Sequence, residues 1–146
     1  MAQRTATAVW EGDLKGGKGK MKLGSGAFEG AYSFASRFES GTGTNPEELI
    51  GAAHAGCYSM ALSHMLASKG FTPKRVATQA DVKLEKVGDG FKITNITLKM
   101  EADVPKIDEK TFMETAEAAK KGCPVSQALA GTEITLQAKL VSAAAA

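Results

Sequence analysis

Four residues in this 146-residue chain stand out for their chemistry: two cysteines, Cys57 and Cys123, and two histidines, His54 and His64. His54 precedes Cys57 by three positions and His64 follows it by seven, which on a helix puts all three along one stripe. Cys123 lies between Gly122 and Pro124, ahead of Val125-Ser126-Gln127-Ala128-Leu129, which reads as a short new helix. A cysteine at a helix N-terminus has its thiolate favoured by the dipole and the free amides. Three chemistries fit these residue types. His54, Cys57, His64 and Cys123 offer a tetrahedral metal set, although the usual zinc spacings are absent. The two thiols could be a redox pair, or they could simply pack, because free cysteine is among the most buried residue types. From pattern alone the inert and redox readings stay open. A further motif, G-x-x-x-x-G-K over 12–18, is followed by Gly19 and strand-like residues, so it reads as a flexible hairpin and not a phosphate-binding loop.

The elements that must position these residues can be read from periodicity. Residues 45–69 form one long helix: Asn45 is a good cap, Pro46 suits the first helical position, and Glu48 completes a capping pattern. Gly70 and Pro73 stop it. Small or apolar residues cover nearly all its sides, which predicts burial on more than one face. A second helix starts at Asp108, with Ile107 and Phe112 spaced as a hydrophobic staple, and ends at Gly122. Strands are predicted over 4–10, 20–23, 31–35, 76–87, 91–104 and 132–141, with glycine-rich turns over 11–20 and 88–90. Within 91–104 the apolar phase shifts, from Phe91 and Ile93 to Ile96, Leu98 and Met100, which predicts a bulge near Thr94 and Asn95.

Hydrophobic residues make up 43% and charged residues 23%, which excludes a disordered or fibrous chain. The net charge of +2 comes without the concentrated basic face of a nucleic-acid binder. No apolar run is long enough to span a bilayer, and the N-terminus lacks the apolar core of a secretory signal. Two cysteines are too few for a disulfide scaffold. The expectation is a single intracellular, cytoplasmic domain over 1–146, with 143–146 as a frayed tail.

The stretch 45–62, NPEELIGAAHAGCYSMAL, closely resembles the first-cysteine helix of the OsmC/Ohr family of thiol-dependent hydroperoxide reductases. Gly122-Cys123-Pro124-Val125-Ser126 is similar to the second-cysteine motif, and residues 10–19 and 36–39 resemble the OsmC branch. The resemblance implies an α+β fold, with antiparallel sheets around long buried helices in an interlocked homodimer. It implies Cys57 as the peroxidatic thiol and Cys123 as the resolving one, joined as a disulfide in turnover, with Arg37 and Glu47 activating the thiolate. It implies organic hydroperoxides as substrates, an external dithiol such as a dihydrolipoyl group as reductant, and no bound cofactor.

Thiol ionisation alone cannot supply such catalysis. Lowering a thiol pKa from about 8.5 to roughly 6 raises the thiolate fraction about 30-fold at pH 7 but costs about tenfold in nucleophilicity. Aligning the peroxide and stabilising the leaving oxygen must supply the rest, and the guanidinium of Arg37, held by Glu47, is the candidate for both. Small residues (Ala53, Ala55, Gly56) and apolar ones (Tyr58, Met60, Ala61) around Cys57 favour an organic substrate. Glu47 and Cys57 are ten residues apart on one helix, about 15 Å in rise and about 280° in rotation. That separation predicts a site shared across a two-fold axis, with Glu47 from one chain and both cysteines from the other.

Overall fold

The computed structural model describes residues 2–141; the expected frayed tail at 143–146 lies outside them. The chain divides into two compact units, Met1–Leu49 and Ile50–Ala146.

The first unit holds a three-stranded antiparallel sheet, β1 (Ala6–Glu11), β2 (Lys18–Leu23) and β3 (Glu29–Tyr32), then the short helix α1 (Phe34–Phe38). The predicted third strand over 31–35 gives way to helix because Ser33 and Ser36 form a reciprocal capping box that turns the chain at residue 33. The glycine-rich 12–18 segment is the β1–β2 hairpin, as expected. Trp10 Nε1 donates to the carbonyls of Gly12 and Asp13, both at 3.1 Å. Gly19 is needed where the Trp10 and Tyr32 rings meet: a Cβ there would lie 2.5 Å from Tyr32 and 2.6 Å from Trp10.

The long helix α2 (Pro46–Ser68) starts in this first unit. Asn45 caps it, its Oδ1 accepting from the Glu48 amide at 2.7 Å. The Glu48 side chain does not close a capping box. Its Oε1 instead accepts from the Thr44 hydroxyl at 3.0 Å.

The second unit contains the rest of α2, then β4 (Arg75–Val87), β5 (Gly90–Asp103), α3 (Glu109–Gly122), α4 (Pro124–Ala128) and β6 (Glu133–Leu140). β4 and β5 form the predicted hairpin. Lys83 faces Asn95 and Leu84 faces Ile93, so Thr94 is the extra residue of a bulge, where the phase shift placed it. After the bulge Ile96, Leu98, Met100 and Ala102 all turn into the core. β6 pairs with β5 in parallel, so this sheet is mixed where antiparallel sheets are implied by the resemblance. Parallel neighbours need a crossover, and α3 with α4 supplies it.

Asp108 caps α3 by accepting from the Thr111 amide, and Ile107 and Phe112 are both buried in the core, as the staple requires. That core gathers Tyr58, Leu62 and Leu66 of α2 with Ile96, Leu98, Met100, Phe112, Ala116 and Ala119. Within one chain α2 is buried along a single stripe through Gly51, His54, Tyr58, Leu62 and Leu66. Burial on several faces is not met within the chain, because one sheet covers one side of a helix. Ala52, Ala53, Gly56 and Met60 stay exposed, Met60 at 76%. No helix among the described residues is long and apolar enough to cross a membrane.

Candidate active site

The second unit brings the two cysteines together. Cys57, midway along α2, and Cys123, at the α3–α4 junction, are 66 residues apart in sequence, and the Cys123 thiol donates to Cys57 Sγ at 2.9 Å. Both are free thiols. Cys123 is fully buried and Cys57 half-buried. Position rather than side-chain bonding sets Cys123: it ends α3 with its amide on the Ala119 carbonyl, and its own carbonyl accepts from Gln127 to open α4. The non-helical backbone of Cys123 (φ −57°, ψ 126°), followed by Pro124, makes the corner that aims its sulfur at α2.

Burial is the main influence on the Cys57 thiol and pushes its pKa above the ordinary value. The Val125 amide, in the first turn of α4, pulls the other way by hydrogen bonding to the sulfur. The adjacent Cys123 adds to the rise, first through the hydrogen bond between the two thiols and to a lesser degree through charge repulsion. No cation is among the groups acting on Cys57 within the described residues.

A second polar contact joins the same segments. Buried His54 places Nε2 2.7 Å from the Ser126 hydroxyl, itself buried. Its Nδ1 has no hydrogen-bond partner, and burial lowers its pKa from 6.5. His64, ten residues further along α2, is exposed. No three His, Cys, Asp or Glu side chains are grouped to hold a metal among the described residues, so the set His54, Cys57, His64 and Cys123 is not assembled. Sequence reasoning missed Ser126, whose only signal was its place three residues after Cys123. Tyr58 also differs from expectation. It turns away from the approach to Cys57 into the core, its hydroxyl donating to the Ala116 carbonyl at 3.0 Å.

The first unit builds the other expected pair. Arg37, in the last turn of α1, meets Glu47, in the first turn of α2, with Nη2 to Oε1 at 2.8 Å and Nε to the two carboxylate oxygens at 3.1 and 3.3 Å. Glu47 is buried, whereas the Arg37 side chain is 36% exposed, so the carboxylate anchors a guanidinium that keeps an open side. Two features hold the helices that carry them. The Ser36 hydroxyl donates to the Thr44 carbonyl at 2.7 Å, and Asn45 Nδ2 donates to the Ser36 carbonyl at 3.1 Å. A cavity of about 220 Å³ beside Arg37 is lined by Trp10, Leu14, Tyr32, Phe34 and Phe38.

This is an α+β protein whose helix-borne dithiol is closed to within 2.9 Å. Residues 39–139 match the family model described as OsmC-like protein. The chain belongs to the OsmC family. It is 57% identical over 136 residues to the Peroxiredoxin OsmC of Escherichia coli, covering 92% of this chain and 94% of that one. It is 31% identical over 103 residues to the organic hydroperoxide resistance protein OhrB of Bacillus subtilis, covering 69% and 74%. The crystal structure of that OhrB superposes with a TM-score of 0.70 at 26% identity, covering 94% of this chain and 98% of the other. An OsmC-like protein from Mycoplasma pneumoniae shares the fold at a TM-score of 0.74 and 18% identity, covering 96% and 98%.

Proposed function

We propose that the protein is a thiol-dependent peroxidase that reduces organic hydroperoxides to alcohols. The observation that carries this reading is the 2.9 Å approach of Cys57 to a fully buried Cys123. Similarity to a peroxiredoxin at 57% identity and to an organic hydroperoxide resistance protein supports it.

Cys57 attacks the distal peroxide oxygen, the O–O bond breaks, and the products are an alcohol and a sulfenic acid on Cys57. Cys123 then displaces water from that sulfur to form a Cys57–Cys123 disulfide. An external dithiol, of which the dihydrolipoyl group is the proposed physiological form, reduces the disulfide. No step calls for a cofactor. Arg37 orients the peroxide and stabilises the leaving alkoxide, and Glu47 fixes its planar fork.

The protein works as a homodimer, with Arg37 and Glu47 of one chain facing Cys57 and Cys123 of the other. Two observations support the shared site. Burial raises the Cys57 pKa and no cation within the described residues offsets it, so a thiolate needs a charge from elsewhere. The exposed Ala52, Ala53, Gly56 and Met60 leave an apolar helix face that a second copy can cover. The same residues give the site an apolar approach, on which the alkyl part of a substrate gains roughly 0.8 kcal/mol per buried methylene. The proposed setting is the cytoplasm, where thiols are kept reduced.

The test is peroxide consumption by the purified protein with a small dithiol. Cumene hydroperoxide should be turned over one to two orders of magnitude more efficiently than hydrogen peroxide. Equal efficiency would remove the organic preference, and no turnover of either would remove the peroxidase reading.

A further inference from the structure

His54 and Ser126 are tied to the cysteines by position as well as by distance. His54 lies three residues before Cys57 on α2, and Ser126 lies three residues after Cys123 in the first turn of α4. Residues three apart on a helix share a face. His54 and Cys57 therefore share one face of α2, and the 2.7 Å His54–Ser126 and 2.9 Å Cys57–Cys123 contacts run from that face to the first turn of α4 and to the residue that precedes it.

An imidazole is a costly way to fill this space. His54 is completely buried, yet only one of its two nitrogens has a partner. An unsatisfied buried polar atom typically costs about 1–3 kcal/mol, and an apolar side chain would avoid it. The less costly tautomer carries its proton on Nε2, which donates to Ser126 Oγ and leaves Nδ1 as a bare acceptor, since an orphaned buried N–H is the rarer arrangement. Burial keeps the ring neutral, so this donor does not change with protonation near neutral pH. The hydrogen bond is the ring's one polar contact with the rest of the fold among the described residues.

We propose that His54 and Ser126 form a positioning pair for disulfide closure, holding the first turn of α4 against α2 so that Cys123 reaches the oxidised Cys57. The proposal rests on the two-cysteine peroxidase reading. In the closing step the Cys57 S–O bond breaks, a Cys57–Cys123 S–S bond forms, and the Cys123 proton leaves with the hydroxide as water. Cys123 must move from 2.9 Å to the bonding distance of about 2.05 Å. No side-chain cap bond restrains Cys123 as α4 begins, so its aim depends on where α4 lies. Without the His54–Ser126 tie, α4 pivots about the Cys123–Pro124 corner and the sulfenic acid waits longer. A second hydroperoxide then oxidises it to the sulfinic acid, releasing another alcohol.

The decisive comparison separates the two steps in single turnovers with cumene hydroperoxide. Peroxide loss reports attack by Cys57, and mass spectrometry of quenched samples reports disulfide and sulfinic acid at that residue. Ser126→Ala and His54→Leu should leave the first step within about twofold of the parent. They should slow disulfide closure about tenfold or more, the scale of losses from ångström-level misplacement, and raise the sulfinic fraction under excess peroxide. Ser126→Thr and His54→Gln, which keep a hydroxyl and a donor, should restore closure. If Ser126→Ala closes its disulfide at the parent rate, or if both steps fall equally, the positioning role is overturned. Ser126→Ala alone decides the matter should His54→Leu fail to fold. A parent protein that consumes peroxide but forms no Cys57–Cys123 disulfide would overturn the two-cysteine reading itself, a result distinct from fast closure in the variant.

Discussion

At the residue scale, the two thiols have unequal surroundings, which fit the unequal tasks proposed for them. Cys57 is half-buried and reachable, whereas Cys123 is sealed in the core beside it. Cys57→Ser should abolish hydroperoxide reduction, because a serine hydroxyl is not ionised at neutral pH. Cys123→Ser should consume about one peroxide per site and stall at the sulfenic acid, a difference that a stopped assay with and without dithiol resolves. The pH dependence of alkylation tests where the activating charge comes from. Burial raises the Cys57 pKa, and if Arg37 of the partner offsets this, removing the cation must shift the thiol upward. Arg37→Met should therefore move the midpoint of Cys57 alkylation to higher pH than in the parent protein. An unchanged midpoint means Arg37 does not face the sulfur.

Helix ends do much of the positioning at the element scale. Arg37 leaves α1, a five-residue helix too short to persist without tertiary support, and its geometry depends on the Ser33–Ser36 box and the Ser36–Thr44 bond. Ser36→Ala removes the buried hydroxyl that accepts from the Ser33 amide and donates to the Ser33 and Thr44 carbonyls, each bond worth about 1 kcal/mol. We expect kcat/KM for an organic hydroperoxide to fall by about tenfold, with Cys57 alkylation by a small reagent much less affected. A loss in alkylation as large as in turnover would show that Ser36 supports the fold in general and not Arg37 in particular. The α3–α4 corner has the corresponding role for Cys123. Gly122 belongs to it, since a Cβ there would come 3.2 Å from the Met65 methyl of α2.

For the whole molecule, the question is how Glu47 and Cys57, ten residues apart on one helix, serve one reaction. The proposed sharing between two copies would answer it and would also cover the exposed small-residue face of α2. Mixing a Cys57→Ser protein with a Glu47→Ala protein under conditions of subunit exchange should restore activity, because each heterodimer contains at most one intact site. Sedimentation of the parent should show a dimer that persists on dilution. Activity no higher than either inactive parent after verified exchange sinks the shared site.

Some of this was decided by local physics and was legible in the sequence. The caps at Asn45 and Asp108, the β4–β5 hairpin and the bulge at Thr94 each rest on neighbours close along the chain, where periodicity and turn chemistry act. The two cysteine motifs marked the residues to watch, but spacing could not say whether cysteines 66 positions apart would bring their sulfurs together. Only the tertiary fold decided that, by routing the α3–α4 crossover so that Cys123 faces α2. It also made β6 parallel to β5, because pairing direction follows from the path of the crossover and not from alternation within the strand. It turned Tyr58 inward and sent His54 to Ser126, 72 residues away, while leaving His64 outside. Helical periodicity puts Cys57 and His64 on one stripe and His54 about 60–80° to its side. Which part of that stripe meets another segment depends on packing between residues far apart in the chain, and packing of that kind leaves no period in the sequence.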